Sequence, residues 1–181
     1  ETSTGRKSFD NVSGQGKWNI HPAFNYGTAV SGLWVAKFEA SNGSGKIKVE
    51  PGVQSWRSVT VNNIYTSCLN YNKTLNSHMM KNDEWGAVAY LSKSRYGKSA
   101  EVDRNGNSSY YTGGGSGNAY VNNVGQSTTG TVYGVYDMSG GAWEYVAAYV
   151  DNGDSNLTSY GSSLVNGDAK VKNVYTRGNR K

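Results

Sequence analysis

The sequence predicts an α+β domain of short elements joined by long polar loops. Three observations carry this prediction. Gly, Asn, Ser and Tyr are abundant in a chain of 181 residues of which only 36% are hydrophobic, a composition unlike that of a helical bundle. Two segments, around 61–71 and from Asn82 onward, carry apolar residues at helical spacing. Short alternating runs bounded by Gly, Ser and Pro read as strands. The length suits one domain and is enough to bury a core. An aromatic content of 12% argues against disorder.

Residues 1–17 are polar and Gly/Ser-rich and read as a loose lead-in. A single domain is expected over 18–181. Glu1 is not a natural start, which fits a chain whose leader or anchor has been removed. In Gly32–Ala40, Leu33, Val35 and Lys37 alternate with Trp34, Ala36 and Phe38, the pattern of a strand with both faces largely buried. His21, ahead of Pro22, has no neighbouring ligand and reads as structural. Residues 41–50 form a Gly/Ser turn into a short edge strand that Pro51 ends. Trp56 and Arg57 follow in a connection.

A helix is expected over Val61–Tyr71, capped by Ser58 or Thr60. Val61, Tyr65 and Leu69 form its stripe, with Ile64 and Cys68 beside it. Cys68 should point into a core and be inert. A second helix is expected within Asn76–Ser92, with Asn82 as N-cap and Asp83 and Glu84 favourably placed in the first turn. Trp85, Val88, Ala89 and Leu91 supply its apolar side. Met79 and Met80 read as packing residues, and His78 as structural.

Residues 93–130 hold no long apolar run and form a long loop region, which in a compact domain is functional or disordered. Tyr110, Tyr111, Tyr120 and Asn122 are the candidate contact residues, because tyrosine offers contact area at low entropic cost. The alternative is a surface loop whose tyrosines pack back on the body. In Gly130–Val146 a Gly140-Gly141 turn precedes Trp143, Glu144, Tyr145 and Val146. The aromatic residues there should supply buried area. Glu144 must face outward, pair, or bind a cation. Beyond it, Asp151-Asn152-Gly153-Asp154-Ser155-Asn156 crowds oxygen-bearing side chains into a turn, which makes Asp151 and Asp154 candidate calcium ligands. Turns rich in Asp and Asn also occur without metal.

The stretch Tyr133–Tyr145 resembles the signature of the formylglycine-generating-enzyme (sulfatase-modifying factor) domain, a variant of the C-type lectin fold. Gly134, Tyr136, Asp137, Met138, Gly140, Trp143 and Glu144 stand in register. Gly141 replaces the usual Asn, and Tyr145 the usual Trp. The blocks HPAF…GLWVAKFE, HMMKNDEWGAVAYLS and YGVYDMSGGAWEYV are also similar to those of uncharacterised bacterial and phage proteins of this superfamily. The resemblance implies a C-type lectin-like fold, with two helices packed on short antiparallel strands and 93–130 on the exposed binding side. It places Glu39 near the end of a hairpin strand. It implies calcium bound by Glu144 with the carbonyls of Gly140 and Ala142, although the family Asn is missing at Gly141. It also implies that the C-terminal part is shortened here, or completed by a partner chain or a second copy.

Composition and motifs narrow the function classes. The chain is basic, with net charge +5, but its cations are scattered rather than interleaved with stacking aromatics, so no nucleic-acid partner is expected. No apolar run reaches transmembrane length, and no direct membrane insertion is expected. The single cysteine forbids an intrachain disulfide. Formylglycine-generating enzymes hold copper with paired cysteines in their C-terminal part, and related sulfoxide synthases use a histidine-rich site. Cys68 and the separated His21 and His78 match neither, and GxSxG and P-loop motifs are missing. The leading expectation is a non-catalytic ligand-binding domain for a protein or glycan, at a bacterial surface or on a phage particle. Open alternatives are a pilus, fibre or tail subunit and a retroelement-diversified variable protein. A formylglycine-generating-type oxidase has the least support.

Overall fold

The computed structural model describes residues 21–24 and 30–147. The chain divides into two compact units, Glu1–Trp34 and Val35–Lys181. In the first, Pro22–Phe24 form a single 3-10 turn. Proline fixes the backbone angle such a turn needs. The Ala23 amide donates to His21 Nδ1 at 3.2 Å, and the Phe24 amide to the His21 carbonyl at 2.9 Å. His21 thus organises a turn, as its position before proline predicts.

The second unit is α+β: two helices and a two-stranded antiparallel sheet among much loop. Strands β1 (Ser41–Gly43) and β2 (Lys46–Lys48) pair with Ser41 opposite Lys48. Ser44 and Gly45 close the hairpin at positive φ, and the Gly45 amide donates to Asn42 Oδ1 at 2.7 Å. This Asx-type closure is the turn that the Ser-Asn-Gly-Ser-Gly run encodes.

The strand expected over Gly32–Ala40 does not form. Trp34 and Ala36 are exposed, and among the aromatic residues of that run only Phe38 is buried. Its alternation describes an extended segment without a regular partner strand. Two backbone bonds to other segments remain, from the Tyr136 amide to the Lys37 carbonyl and from the Trp56 amide to the Ala40 carbonyl, both at 2.8 Å. Alternation reports extension and burial; a strand also needs a neighbour in register.

Helix α1 (Val61–Tyr71) has the bounds its periodicity predicts, and Thr60 caps it by accepting the Asn63 amide at 3.3 Å. Tyr65 is buried with Met79 and Ala147, and Ile64, Cys68 and Leu69 pack against them. Burying side chains of this size contributes about 1.5–3 kcal/mol each. Helix α2 (Asn82–Lys93) begins after Lys81 rather than after Asn82. The cap moves because Glu84 folds back to accept the Lys81 amide at 2.9 Å, which satisfies an orphan donor that Asn82 would otherwise face. The Met79 and Met80 region is tied to the end of the described chain. The Ala147 amide donates to the Met80 carbonyl at 2.8 Å, and the Asn82 amide to the Ala147 carbonyl at 3.3 Å.

Residues 94–147 contain no α-helix or multi-residue strand, yet they carry much of the buried polar structure. Single-turn 3-10 helices occur at Thr112–Gly114, Ala119–Val121 and Val124–Gln126. Segment 52–55 is zipped to 110–112 by three backbone bonds, Gly52 to Thr112, Ser55 to Tyr110 and Thr112 to Val53, which make Gln54 and Tyr111 a bridge pair. Thr112 is fully buried, and its hydroxyl donates to the Glu50 carbonyl at 2.8 Å. Loop backbone in an interior must find such partners.

The aromatic turn is only half as expected. Tyr136 and Asp137 are buried, and Tyr136 stacks on Phe38 with centroids 5.2 Å apart. Trp143, however, is 91% exposed and Tyr145 51% exposed, so neither supplies the expected core area. The Gly140-Gly141 pair holds the reversal at positive φ, and residues 143–145 then run exposed before Ala147 returns to the core beside Tyr65 and Met79.

Candidate functional site

Two polar centres flank the segment that follows the hairpin. The first is a buried clamp around Asp137 and Glu39. Asp137 adopts φ +65° and accepts the Gly113 amide at 2.9 Å and Asn105 Nδ2 at 2.9 Å. Asn105 uses every one of its groups. Its amide side chain also donates to the Tyr111 carbonyl at 2.9 Å and accepts the Asn107 N–H at 3.0 Å. Its backbone donates to Ser139 at 2.7 Å and accepts from Gly141 at 3.0 Å. A fully satisfied buried network of this kind fixes one loop conformation.

Glu39 stands beside this clamp. Its carboxylate accepts the Ala142 amide at 3.1 and 3.2 Å and a very short hydrogen bond from the Ser55 hydroxyl. Burial pushes the Glu39 carboxyl up to about 7, with repulsion from Asp137 and Glu144 adding to it and the Ser55 and Ala142 donors opposing it. Burial likewise raises Asp137, against the Gly113 and Asn105 donors. A Cβ on Gly141 would lie 2.6 Å from Glu39 Oε1, so glycine is what admits this carboxylate.

The second centre is an open cleft of about 670 Å³. Its walls come from the hairpin (Ser41, Asn42, Lys48), from 50–58 and from Tyr111. Trp56, Tyr111 and Arg57 are its largest side chains. The Arg57 guanidinium lies 4.0 Å over the Tyr110 ring, a cation–π stack. Tyr110 holds φ +58° and is locked there because its carbonyl accepts both the Ser55 amide at 2.9 Å and the Ser55 hydroxyl at 3.2 Å. Gln54 Nε2 donates to the Ser109 carbonyl at 3.2 Å. Ser55 lines the cleft and donates to Glu39, so it joins the two centres.

The sequence-derived contact residues separate. Tyr111 lines the cleft, and Tyr110 supports it from beneath Arg57. Tyr120 does not act as a free contact residue. Its ring packs edge-on against Phe38 at 5.3 Å and Tyr136 at 5.7 Å, under Lys37 Nζ at 4.9 Å. Asn122 is exposed, and its amide closes a turn onto the Ala119 carbonyl at 3.0 Å. Sequence reasoning missed Trp56, Arg57, Gln54 and Asn42. The only signal was a Trp-Arg pair in a short connection, and nothing local links it to Tyr110.

The candidate calcium ligands are placed differently. Glu144 accepts the Trp85 indole N–H at 2.8 Å. Glu144 is exposed as a residue, but the protein around its carboxylate displaces enough water to push its pKa up, against the Trp85 donor. Ala142 turns its N–H toward Glu39, and Gly140 bridges Asn105. Among the described residues, no three His, Cys, Asp or Glu side chains converge on a metal position. Asp151 and Asp154 lie outside the described residues.

His78 is engaged as a structural residue. Its Nε2 lies 3.1 Å from both Glu84 oxygens, and Lys81 Nζ is 3.6 Å from Glu84. The Glu84 hydrogen bond raises the His78 pKa. Burial pushes Glu84 up, but His78, the Lys81 amide and the neighbouring cations outweigh it and hold the carboxyl low. Cys68 is pushed up to about 11 by burial, so its thiol is protonated at neutral pH and a poor nucleophile.

No protein-family model matches the chain, and no curated protein matches it.

Proposed function

We propose that this chain is a non-catalytic ligand-binding domain, built on a formylglycine-generating-enzyme-like variant of the C-type lectin fold, that grips a protein or glycan at a bacterial surface or on a phage particle. The observation that carries this reading is the polar cleft with Trp56, Arg57 and Tyr111 on its walls. A cleft lined by an aromatic ring, a stacked guanidinium and several amides and hydroxyls has the chemistry of recognition. Its loops are held by the Asn105–Asp137 clamp, so binding need not first order them, which favours affinity. The protonated Cys68 thiol and the pairing of His78 with Glu84 support a site without turnover. The test is binding of the purified chain to arrays of glycans and of bacterial surface proteins, with Trp56→Ala and Arg57→Ala as variants. Binding that both variants abolish supports the reading; no binding to any array removes it.

A second reading, a subunit of a pilus, fibre or tail, is favoured by a different feature. Tyr133 and Trp143 are almost wholly exposed, and exposed aromatics of this size mark interaction surfaces. Sedimentation separates the two readings: a strict monomer at high concentration argues against assembly.

A further inference from the structure

The cleft carries more information than its size, because its charges are not all matched. Lys48 and Glu50, both on its walls, form an exposed pair at 3.4 Å. Arg57 is different. Among the described residues no carboxylate pairs with it, and its partner is the face of Tyr110. A guanidinium held over a ring by cation–π attraction still has N–H groups to offer a carboxylate. It is also pre-oriented, since Tyr110 is pinned through its carbonyl by Ser55. Glu39, which Ser55 connects to the cleft, is taken up by the Ser55 hydroxyl and the Ala142 amide. Among the described residues the cleft is therefore left positive by one charge, held beside Tyr110.

The other walls are amides and hydroxyls, from Ser41, Asn42, Gln54 and Ser58, beside the indole of Trp56. Val53 is the only aliphatic side chain among the lining residues, so there is no pocket for the apolar side chains of a peptide. An indole next to many small hydrogen-bonding groups suits a ring with one apolar face and a rim of hydroxyls.

We infer that this cleft binds a sugar bearing a carboxylate, with the Arg57 fork on the carboxylate and Trp56 against the apolar face of the sugar ring. The inference rests on the ligand-binding reading and narrows it to acidic glycans. It also gives Tyr110 a role that its near-burial hides: it aims Arg57.

The test is calorimetric titration of the full chain with trigalacturonate and 3′-sialyllactose. Galactotriose and lactose serve as neutral counterparts, and an Asp/Glu tetrapeptide as a carboxylate without a sugar. Arg57→Ala, Arg57→Lys, Trp56→Ala and Tyr110→Leu are compared with Lys93→Ala, which lies on α2 away from the cleft, and a melting curve checks that each variant folds. At least one acidic sugar is expected to bind at least 10-fold more tightly than its neutral counterpart. Arg57→Ala should weaken it about 10- to 100-fold, as loss of a charge-assisted fork does. Arg57→Lys should recover only part of that, and Lys93→Ala should change nothing. Equal binding of neutral sugars, or tetrapeptide binding as tight as sugar binding, overturns the inference. So does a folded Arg57→Ala variant within twofold of the parent. If neither acidic sugar binds but the arrays yield another ligand, this inference fails and the ligand-binding reading survives. If the arrays also yield nothing, both fail.

Discussion

Gly141→Ala is the sharpest probe of the clamp that holds the loops. Gly141 sits at φ +70°, where an alanine costs about 1–2 kcal/mol. The added Cβ would stand 2.6 Å from Glu39 Oε1 and 3.0 Å from its Cδ and Oε2. Glu39 cannot swing aside cheaply, because Ser55 and the Ala142 amide both donate to it. Breaking hydrogen bonds to a charged or half-charged carboxyl costs about 1.5–3 kcal/mol. Together the substitution should destabilise the chain by about 2.5–5 kcal/mol. For a chain of this length that lowers Tm by roughly 5–20 °C. The assay is a double-mutant cycle by thermal and urea melting, with Glu39→Ala as the second change. In the Glu39→Ala background only the backbone strain should remain, leaving a coupling of about 1.5–3 kcal/mol. Gly141→Asn should retain the clash with less backbone strain, since Asn tolerates positive φ better. A Gly141→Ala cost below about 1 kcal/mol would refute the reasoning. An equal cost with and without Glu39 would do the same.

Other outcomes are expected from the same geometry. Among the described residues the buried Tyr65 hydroxyl has no hydrogen-bond partner, so Tyr65→Phe should leave stability unchanged or raise it by up to about 1–2 kcal/mol in a urea melt. Asn105→Ala removes the donor to Asp137 and Tyr111 and leaves buried partners unmet; a loss of about 2–4 kcal/mol is expected, together with faster amide exchange at Gly113 and Gly141. Stability should fall as pH rises from about 5 to about 8. Between its ordinary value of 4.5 and about 7, folded Glu39 keeps a proton that the unfolded chain has lost. His78, raised above 6.5 chiefly by Glu84, contributes stability that is full below its unfolded value and lost as pH passes its folded one. Glu39→Gln should flatten the lower part of that slope and His78→Gln the upper part, in melts followed across pH. Trp143→Ser should shift Tm by less than about 0.5 kcal/mol equivalent, because the ring is exposed; a larger loss would mean that the ring is covered.

Helix α1 was legible to the residue, because a capping threonine and an i, i+4, i+8 stripe are local signals. Helix α2 was legible apart from its ends: it starts one residue earlier than an Asn82 cap allows, where the Glu84 side chain folds back, and runs to Lys93, one residue past the expected range. The hairpin turn was legible in Asn42 and Gly45. The segment Gly32–Ala40 was not, since the same alternation serves a strand and an unpaired extended run. Trp143 misled for a related reason: an aromatic residue after a tight turn reports a hydrophobic side chain, not the direction in which the chain leaves.

Local sequence alone determined the α+β class, both helices, the positive-φ turn at Gly140-Gly141, and the packing or structural roles of Met79, Cys68 and His78. Tertiary structure alone decided that Tyr120 packs against Phe38 and Tyr136 while Tyr111 lines a cleft, that Glu144 meets Trp85 at 2.8 Å, and that Arg57 stacks on Tyr110, fifty-three positions away. The physical reason is range. Backbone propensity and caps act over a few residues, whereas the site is assembled by hydrogen bonds between 52–55 and 110–112 that no single stretch of the chain encodes.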